Sequence, residues 1–207
     1  MMKAKDIINL VRYQLKDNNA VQYSDYDVMQ ALNSCLRYIN QYYINSDFLE
    51  QVVYYREDEI NAQIDEANQT ADTPVAHVSM KLTGVDLPDD FLSLVRVVRE
   101  CDGVDMHPCQ AIKTPWPREY KILQNKIYAG VKDIAVMYNI ELKAVSSVDD
   151  TINLPGVFRD ALAKLTCTIL ANNPDTDTMQ SAFEDVLRSI VPLRRYSNMR
   201  KKMPFYC

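Results

Sequence analysis

Residues 149–173 constrain the fold more than any other stretch of this chain. They read Asp-Asp-Thr-Ile-Asn-Leu-Pro-Gly-Val-Phe-Arg-Asp-Ala-Leu-Ala-Lys-Leu-Thr-Cys-Thr-Ile-Leu-Ala-Asn-Asn. Asn153-Leu154-Pro155 is a helix-start signal, because Asn caps well and Pro fits only the first turn. Phe158, Ala161, Leu162, Leu165 and Ile169 then share one helical face. Pro174 follows Asn172-Asn173 and ends the helix, since proline cannot continue it. A strand-rich middle therefore ends here and a helical C-terminal part begins.

Two more amphipathic helices are expected at the N-terminus. Residues 3–17 carry a stripe of Ile7, Leu10, Val11 and Leu15, with Lys5, Asp6, Arg12 and Lys16 largely off it. Ser24 then caps a second helix whose first turn is acidic, which suits the helix dipole. It runs to about Asn45, with Val28, Leu32, Cys35, Leu36, Ile39 and Tyr43 on one face. The middle reads as short strands at 51–56, 75–82, 92–98, 120–123, 126–128 and 134–142. Gln124-Asn125 is a two-residue hairpin turn without the favoured Gly. Residues 61–73, polar and acidic, read as an exposed loop. Residues 101–117, with Gly103 and three prolines, read as a loop or hairpin. A fourth helix starts at Asp175-Thr176-Asp177 and carries Met179, Ala182, Phe183, Val186, Leu187 and Ile190; Pro192 ends it.

This order predicts an α+β, mainly α chain with a four-helix bundle core. The two N-terminal helices (1–48) and two C-terminal helices (149–192) form the bundle. A central antiparallel β insertion spans 49–148, and an extended basic C-terminal tail spans 193–207.

The residues point away from catalysis. Cys101, His107 and Cys109 share a loop, but their spacing matches no common zinc site. Asp86, Asp89 and Asp90 read as a turn, because Asp side chains bond nearby backbone amides. His77 has no acid or nucleophile fixed near it by spacing. Four glycines leave little material for a phosphate loop, and no Gly-x-Ser-x-Gly or His-Glu-x-x-His motif occurs. No catalytic residue, cofactor or metal is expected. Five cysteines without Cys-x-x-Cys spacing argue against a disulfide framework. No apolar run approaches the roughly 18 residues of a membrane span, and no secretory signal opens the chain, so a reducing cytoplasm is the expected place of synthesis.

Charge gives the better functional signal. Residues 188–207 hold six of the 23 basic side chains and no acid, while the rest of the chain keeps all 28 acids. An acidic body with a basic tail is built to meet something negative. Tyr196, Phe205 and Tyr206 are interleaved with Arg194, Arg195, Arg200, Lys201 and Lys202, and aromatic anchors beside Arg are what buried interfaces favour. An acidic protein surface fits this tail; the alternative is a nucleic-acid-binding helical protein that uses the tail, with the acidic body repelling phosphate. Tyr38, Tyr42, Tyr43, Tyr54 and Tyr55 crowd one region and mark either a core boundary or a subunit interface.

Three segments carry a family resemblance. Ile-Ile-Asn-Leu-Val-Arg-Tyr-Gln-Leu-Lys-Asp (7–17), followed by Tyr-Ser-Asp-Tyr-Asp-Val-Met-Gln-Ala-Leu-Asn (23–33), resembles the opening of head-to-tail adaptor proteins of tailed bacteriophages. Asp-Leu-Pro-Asp-Asp-Phe-Leu-Ser-Leu-Val-Arg-Val (86–97) and Asp-Asp-Thr-Ile-Asn-Leu-Pro-Gly-Val-Phe-Arg-Asp-Ala-Leu (149–162) are similar to later parts of the same family, in family order. The chain departs from the family pattern at 61–73 and 108–117. The resemblance implies a structural virion protein at the neck between capsid portal and tail, commonly a ring of twelve copies. Such a ring extends the DNA channel, passes genomic DNA without binding it specifically, and presents a platform to downstream tail or nozzle proteins. It further implies that the C-terminal extension docks on the portal, which assigns that contact to Arg194, Arg195, Tyr196, Arg200, Lys201, Lys202, Phe205 and Tyr206. No membrane is involved.

Overall fold

The computed structural model describes residues 2–42, 47–71, 73–172, 178 and 180–185. In chain order these form β1 (Met2–Lys3), α1 (Ala4–Leu15), α2 (Asp25–Tyr42), a 3-10 turn (Asp47–Leu49), β2 (Glu50–Arg56), α3 (Glu57–Asn68), β3 (Val85–Asp86), β4 (Phe91–Arg99) and β5 (His107–Pro108). There follow β6 (Glu119–Leu123), β7 (Lys126–Ala129), β8 (Asp133–Ile140), β9 (Thr151–Ile152), a second 3-10 turn (Gly156–Phe158) and α4 (Arg159–Asn172). Residues 180–185 are also helical. The chain divides into two compact units. One gathers the described residues up to Tyr42 and from Leu142 on; the other spans Tyr43–Glu141.

In the first unit α4 packs against both α1 and α2. Ile7, Ile8 and Val11 of α1 meet a core that includes Leu32, Cys35, Leu36 and Ile39 of α2 and Leu162 and Leu165 of α4, all buried. The β1–β9 pair ties the N-terminus to the approach of α4, with Met2 opposite Ile152. Pro155 stands extended before the 3-10 turn, so Phe158 is buried one residue ahead of α4. α2 starts with a reciprocal cap: the Ser24 amide donates to Asp27 Oδ2 (2.9 Å), and the Asp27 amide donates to Ser24 Oγ (3.2 Å). Phe183 is fully buried and meets Tyr38 edge-on at 6.1 Å. Met179, Val186, Leu187 and Ile190, expected on the same helical face, lie outside the described residues.

The second unit has a core of its own. One antiparallel sheet runs β2-β8-β4; another runs β3-β7-β6-β5, with only the β5–β6 pair parallel. Tyr55, Val97, Ile134 and Val136 from the first sheet share a cluster with Ile127 and Ala129 from the second, closed by Met80, Leu87 and Met106. The expected β6–β7 turn is present, and Gln124 (φ 51°) and Asn125 (φ 60°) both take the left-handed conformation that a two-residue hairpin demands.

The described residues form a mixed α/β fold with three sheets, and the expected four-helix bundle core is not its organising element. Helical stripes report that a face is buried, not what buries it. The strands bury theirs in a core of their own, in a unit that the chain enters after Tyr42 and leaves before Leu142. The expected loop at 61–73 is also corrected: most of it belongs to α3, which has acids in its first turn and no buried residue. The expected strand at 75–82 joins no sheet.

Those last two differences have one cause. Asn61 donates from Nδ2 to the Val78 carbonyl (2.9 Å) and accepts the Val78 amide (2.7 Å). Asn68 does the same to Val75 (2.8 and 2.7 Å). Each side chain thus supplies the two bonds that a neighbouring strand would supply. Seven helical residues advance about 10.5 Å, and three extended residues advance about 10 Å, so the registers match. The first unit repeats the device: Asn33 clasps Val145 (2.9 and 2.7 Å) and Asn40 clasps Leu142 (2.9 and 3.0 Å). Replacing Asn61 and Asn68 by Ala is expected to remove about 1–2 kcal/mol per position. Amide exchange at Val75 and Val78 is expected to accelerate at least tenfold; unchanged exchange there contradicts this account of the strap.

Candidate functional site

Several polar residues of the three resembling segments fasten the joints of the fold. Arg12, expected off the buried stripe, is 8% exposed. Its guanidinium reaches Asp25 Oδ1 (2.5 Å) and donates to the Tyr23 carbonyl (3.0 Å). Beside it, the Asp17 carboxylate accepts the amides of Val21, Gln22 and Tyr23 at 2.8–3.1 Å. Those amides, Tyr23's foremost, hold the carboxyl below its ordinary range. The pair fixes the connection between α1 and α2. In the same way Asp150 accepts the amides of Ser146 and Ser147 and fixes the approach to β9.

Asp86 and Asp90 are also fasteners. The Asp86 carbonyl accepts the Tyr55 hydroxyl (3.0 Å), and its carboxylate lies 3.6 Å from Lys126. Asp90 accepts the Tyr138 hydroxyl (3.1 Å) and, through its carbonyl, the Glu141 amide (2.7 Å). Burial, then the Asp90 contact, pushes the Tyr138 phenol up to about 12. These contacts tie the 86–90 turn to β2 and to β8 and its end. His77 pairs with Asp65 at 2.6 Å on the surface. Cys101 is exposed at the end of β4, while the amides of His107 and Cys109 pair with Arg118 and Tyr120 along β6. Among the described residues no three His, Cys, Asp or Glu side chains converge as a metal site. No helix among them is long and apolar enough to cross a membrane.

An open cleft of about 480 Å³ in the second unit is lined by Arg56, Asp58, Glu59, Glu100, Cys101 and Asp133. Arg56 grips Glu100 through Nε (3.0 and 2.8 Å) and Nη2, and Glu59 through Nη1 (2.9 Å). Those bonds hold the guanidinium charged and lower the Glu100 carboxyl. Asp58 pairs with Lys132 at 2.8 Å. The cleft is thus a negatively charged surface stitched by ion pairs, and its lining includes no histidine to activate the Cys101 thiol.

What sequence reasoning passed over is the pair Ile112 and Trp116 within the proline-rich segment 108–117. Ile112 is 100% exposed and Trp116, the one tryptophan, 71%. The loop beneath them is fixed. Lys121 Nζ donates to the carbonyls of Ala111 and Lys113, both at 3.0 Å. The Trp116 amide donates to Glu119 Oε2 (3.1 Å), and its carbonyl accepts the Glu119 amide (2.8 Å). Gly130 lies so close under Trp116 that a Cβ there would sit 1.8 Å from the Trp116 carbonyl oxygen. Trp116 between Pro115 and Pro117 was the available signal: a rigid, exposed turn carrying a large aromatic.

The tyrosine cluster splits between the units. Tyr38 is buried and Tyr42 packs on it at 4.6 Å; Tyr55 is buried, and Tyr54 is 59% exposed. Tyr43 and all eight tail residues assigned to portal contact (Arg194, Arg195, Tyr196, Arg200, Lys201, Lys202, Phe205 and Tyr206) lie outside the described residues. No protein-family model matches the chain, and no curated protein matches it in sequence.

Proposed function

We propose that this protein is a structural head-to-tail adaptor of a tailed bacteriophage, a subunit of a ring beneath the portal that extends the DNA channel and carries the tail. The observation that carries the reading is the placement of the three resembling segments. Their polar residues (Arg12, Asp17, Asp86, Asp90 and Asp150) are bonded to backbone or to one another at turns and joints. That is the work of a scaffold, and it gives a physical reason for those residues to stand in that order. The charge split supports the same reading: an acidic wall lets DNA slide, and a basic aromatic tail orders on an acidic partner. In this role the chain has no catalytic task.

Deleting residues 193–207 tests the clamp. The truncated subunit is expected to keep its thermal midpoint and to lose sedimentation with the portal. A truncated subunit that still joins the portal overturns the assignment of the tail. Duplex-DNA binding that depends on the tail and falls steeply with salt would move the reading to a nucleic-acid-binding protein.

A further inference from the structure

The second unit carries two exposed patches of opposite character. The first is the fixed loop with Ile112 and Trp116. Around it Lys113, Arg118 and Lys121 outnumber the single acid Glu119 within residues 107–121. The second begins on β2. Val53 and Tyr55 point into the shared core, so Val52 and Tyr54 lie on the opposite face of the sheet, where they are 45% and 59% exposed. The register sets Met137 and Ala135 of β8 beside them on that face. β2 is an edge strand, paired with β8 without a bulge from Glu50 to Arg56, whereas β4 at the other edge has two register shifts. Bulges and lysines are the usual protection of an edge, and β2 has neither. α3 follows directly with Glu57, Asp58, Glu59, Asp65 and Glu66 and no basic residue; Lys132, Arg56 and His77 pair with Asp58, Glu59 and Asp65, and the acids still outnumber these partners.

The patches belong to opposite layers. The loop hangs from the β5-β6-β7 sheet, and the Val52 and Tyr54 face is turned away from it across the common core. We propose that the Ile112 and Trp116 loop of one subunit packs on the Val52 and Tyr54 face of a second copy, with Lys113 and Arg118 of the loop set against the acids of α3. The occupant is a second copy because the chain carries both halves of the complement, apolar against apolar and basic against acidic. Two different patches that match each other make a head-to-tail contact, the kind that closes into rings. Fixing the loop in advance lowers the ordering cost of that contact, and a central exposed Trp is the residue type that dominates interfaces. The proposal rests on the ring reading above and names its interface.

Two double variants of the full chain test it, Ile112→Asp with Trp116→Ala and Val52→Lys with Tyr54→Lys. All four side chains are exposed, and unchanged thermal midpoints verify the fold; Lys113→Glu serves as a milder third variant. Wild type, alone or with portal, is expected to form rings. Each double variant is expected to self-associate at least about 30-fold more weakly and to run as a monomer. Mixed in equal amounts they should give a species of twice 23.8 kDa and nothing larger, since each supplies the one patch the other lacks. Variants that still form rings, or a mixture that stays monomeric, overturn the interface and leave the ring reading standing. Wild type that forms no ring, even with portal, overturns the ring reading and the interface with it.

Discussion

Gly130→Ala is expected to destabilise the strand-rich unit by about 3 kcal/mol, an overpacking cost at the upper end of the usual range. The reason is geometric. A methyl at this position would lie 1.8 Å from the Trp116 carbonyl oxygen and 2.1 Å from its carbon. Backbone, not a flexible side-chain end, stands in the way, so the strand or the loop must shift. Either shift strains the bond from the Gly130 amide to the Glu119 carbonyl (3.0 Å) and those that fix Trp116. Urea unfolding measures the loss, and tryptic cleavage after Lys113 is expected to accelerate as the loop comes free. A change within about 0.5 kcal/mol, the usual range of a neutral surface substitution, contradicts the close approach. The loop is central to the proposed ring contact, so the same variant should also weaken assembly.

Leu162→Ala is the second large effect, about 3 kcal/mol with a fall in melting temperature on the order of 10 °C. Leu162 is 1% exposed on α4, the helix on which both α1 and α2 pack. Removing its side chain leaves a cavity where three helices meet. Ile169 lies two turns further along the same stripe and is half-buried. Ile169→Ala should therefore cost less than half as much, and equal costs at the two positions contradict the packing described for α4.

The elements that announced themselves in the sequence did so through periodicity and turn chemistry. α1, α2, β2 and β8 follow apolar spacing that a single window reveals. The β6–β7 hairpin was legible from Gln124-Asn125 even without glycine, because Asn tolerates a positive φ well and Gln124 is carried with it. α3 was illegible for a different reason: its inner face (Glu57, Ile60, Asn61, Ile64 and Asn68) is only half-buried and mostly polar, so it offers no apolar stripe to read. Its partner is a strap held by Asn61 and Asn68, and such bonds join residues that no local window compares. The spacing of seven between those asparagines, repeated at Asn33 and Asn40, is the sequence trace of the device. Arg12 read as a surface residue for a related reason, since its partners Asp17, Tyr23 and Asp25 fold back onto it from beyond the end of α1. The bundle was misjudged because four helical stripes were matched to one another and the strands, read as a small antiparallel sheet or sandwich, were treated as secondary to them. Of the candidate site, the basic tail was visible in composition alone, whereas the Ile112 and Trp116 loop needed the structure to show that both side chains point outward.

The most direct test of the adaptor account is the native mass of the full chain, alone and mixed with the portal protein of the same virion. The account predicts a ring-sized complex with portal, of about twelve copies where the family's usual symmetry holds. A chain that remains at 23.8 kDa in the presence of portal, with no co-sedimentation at any salt, contradicts it.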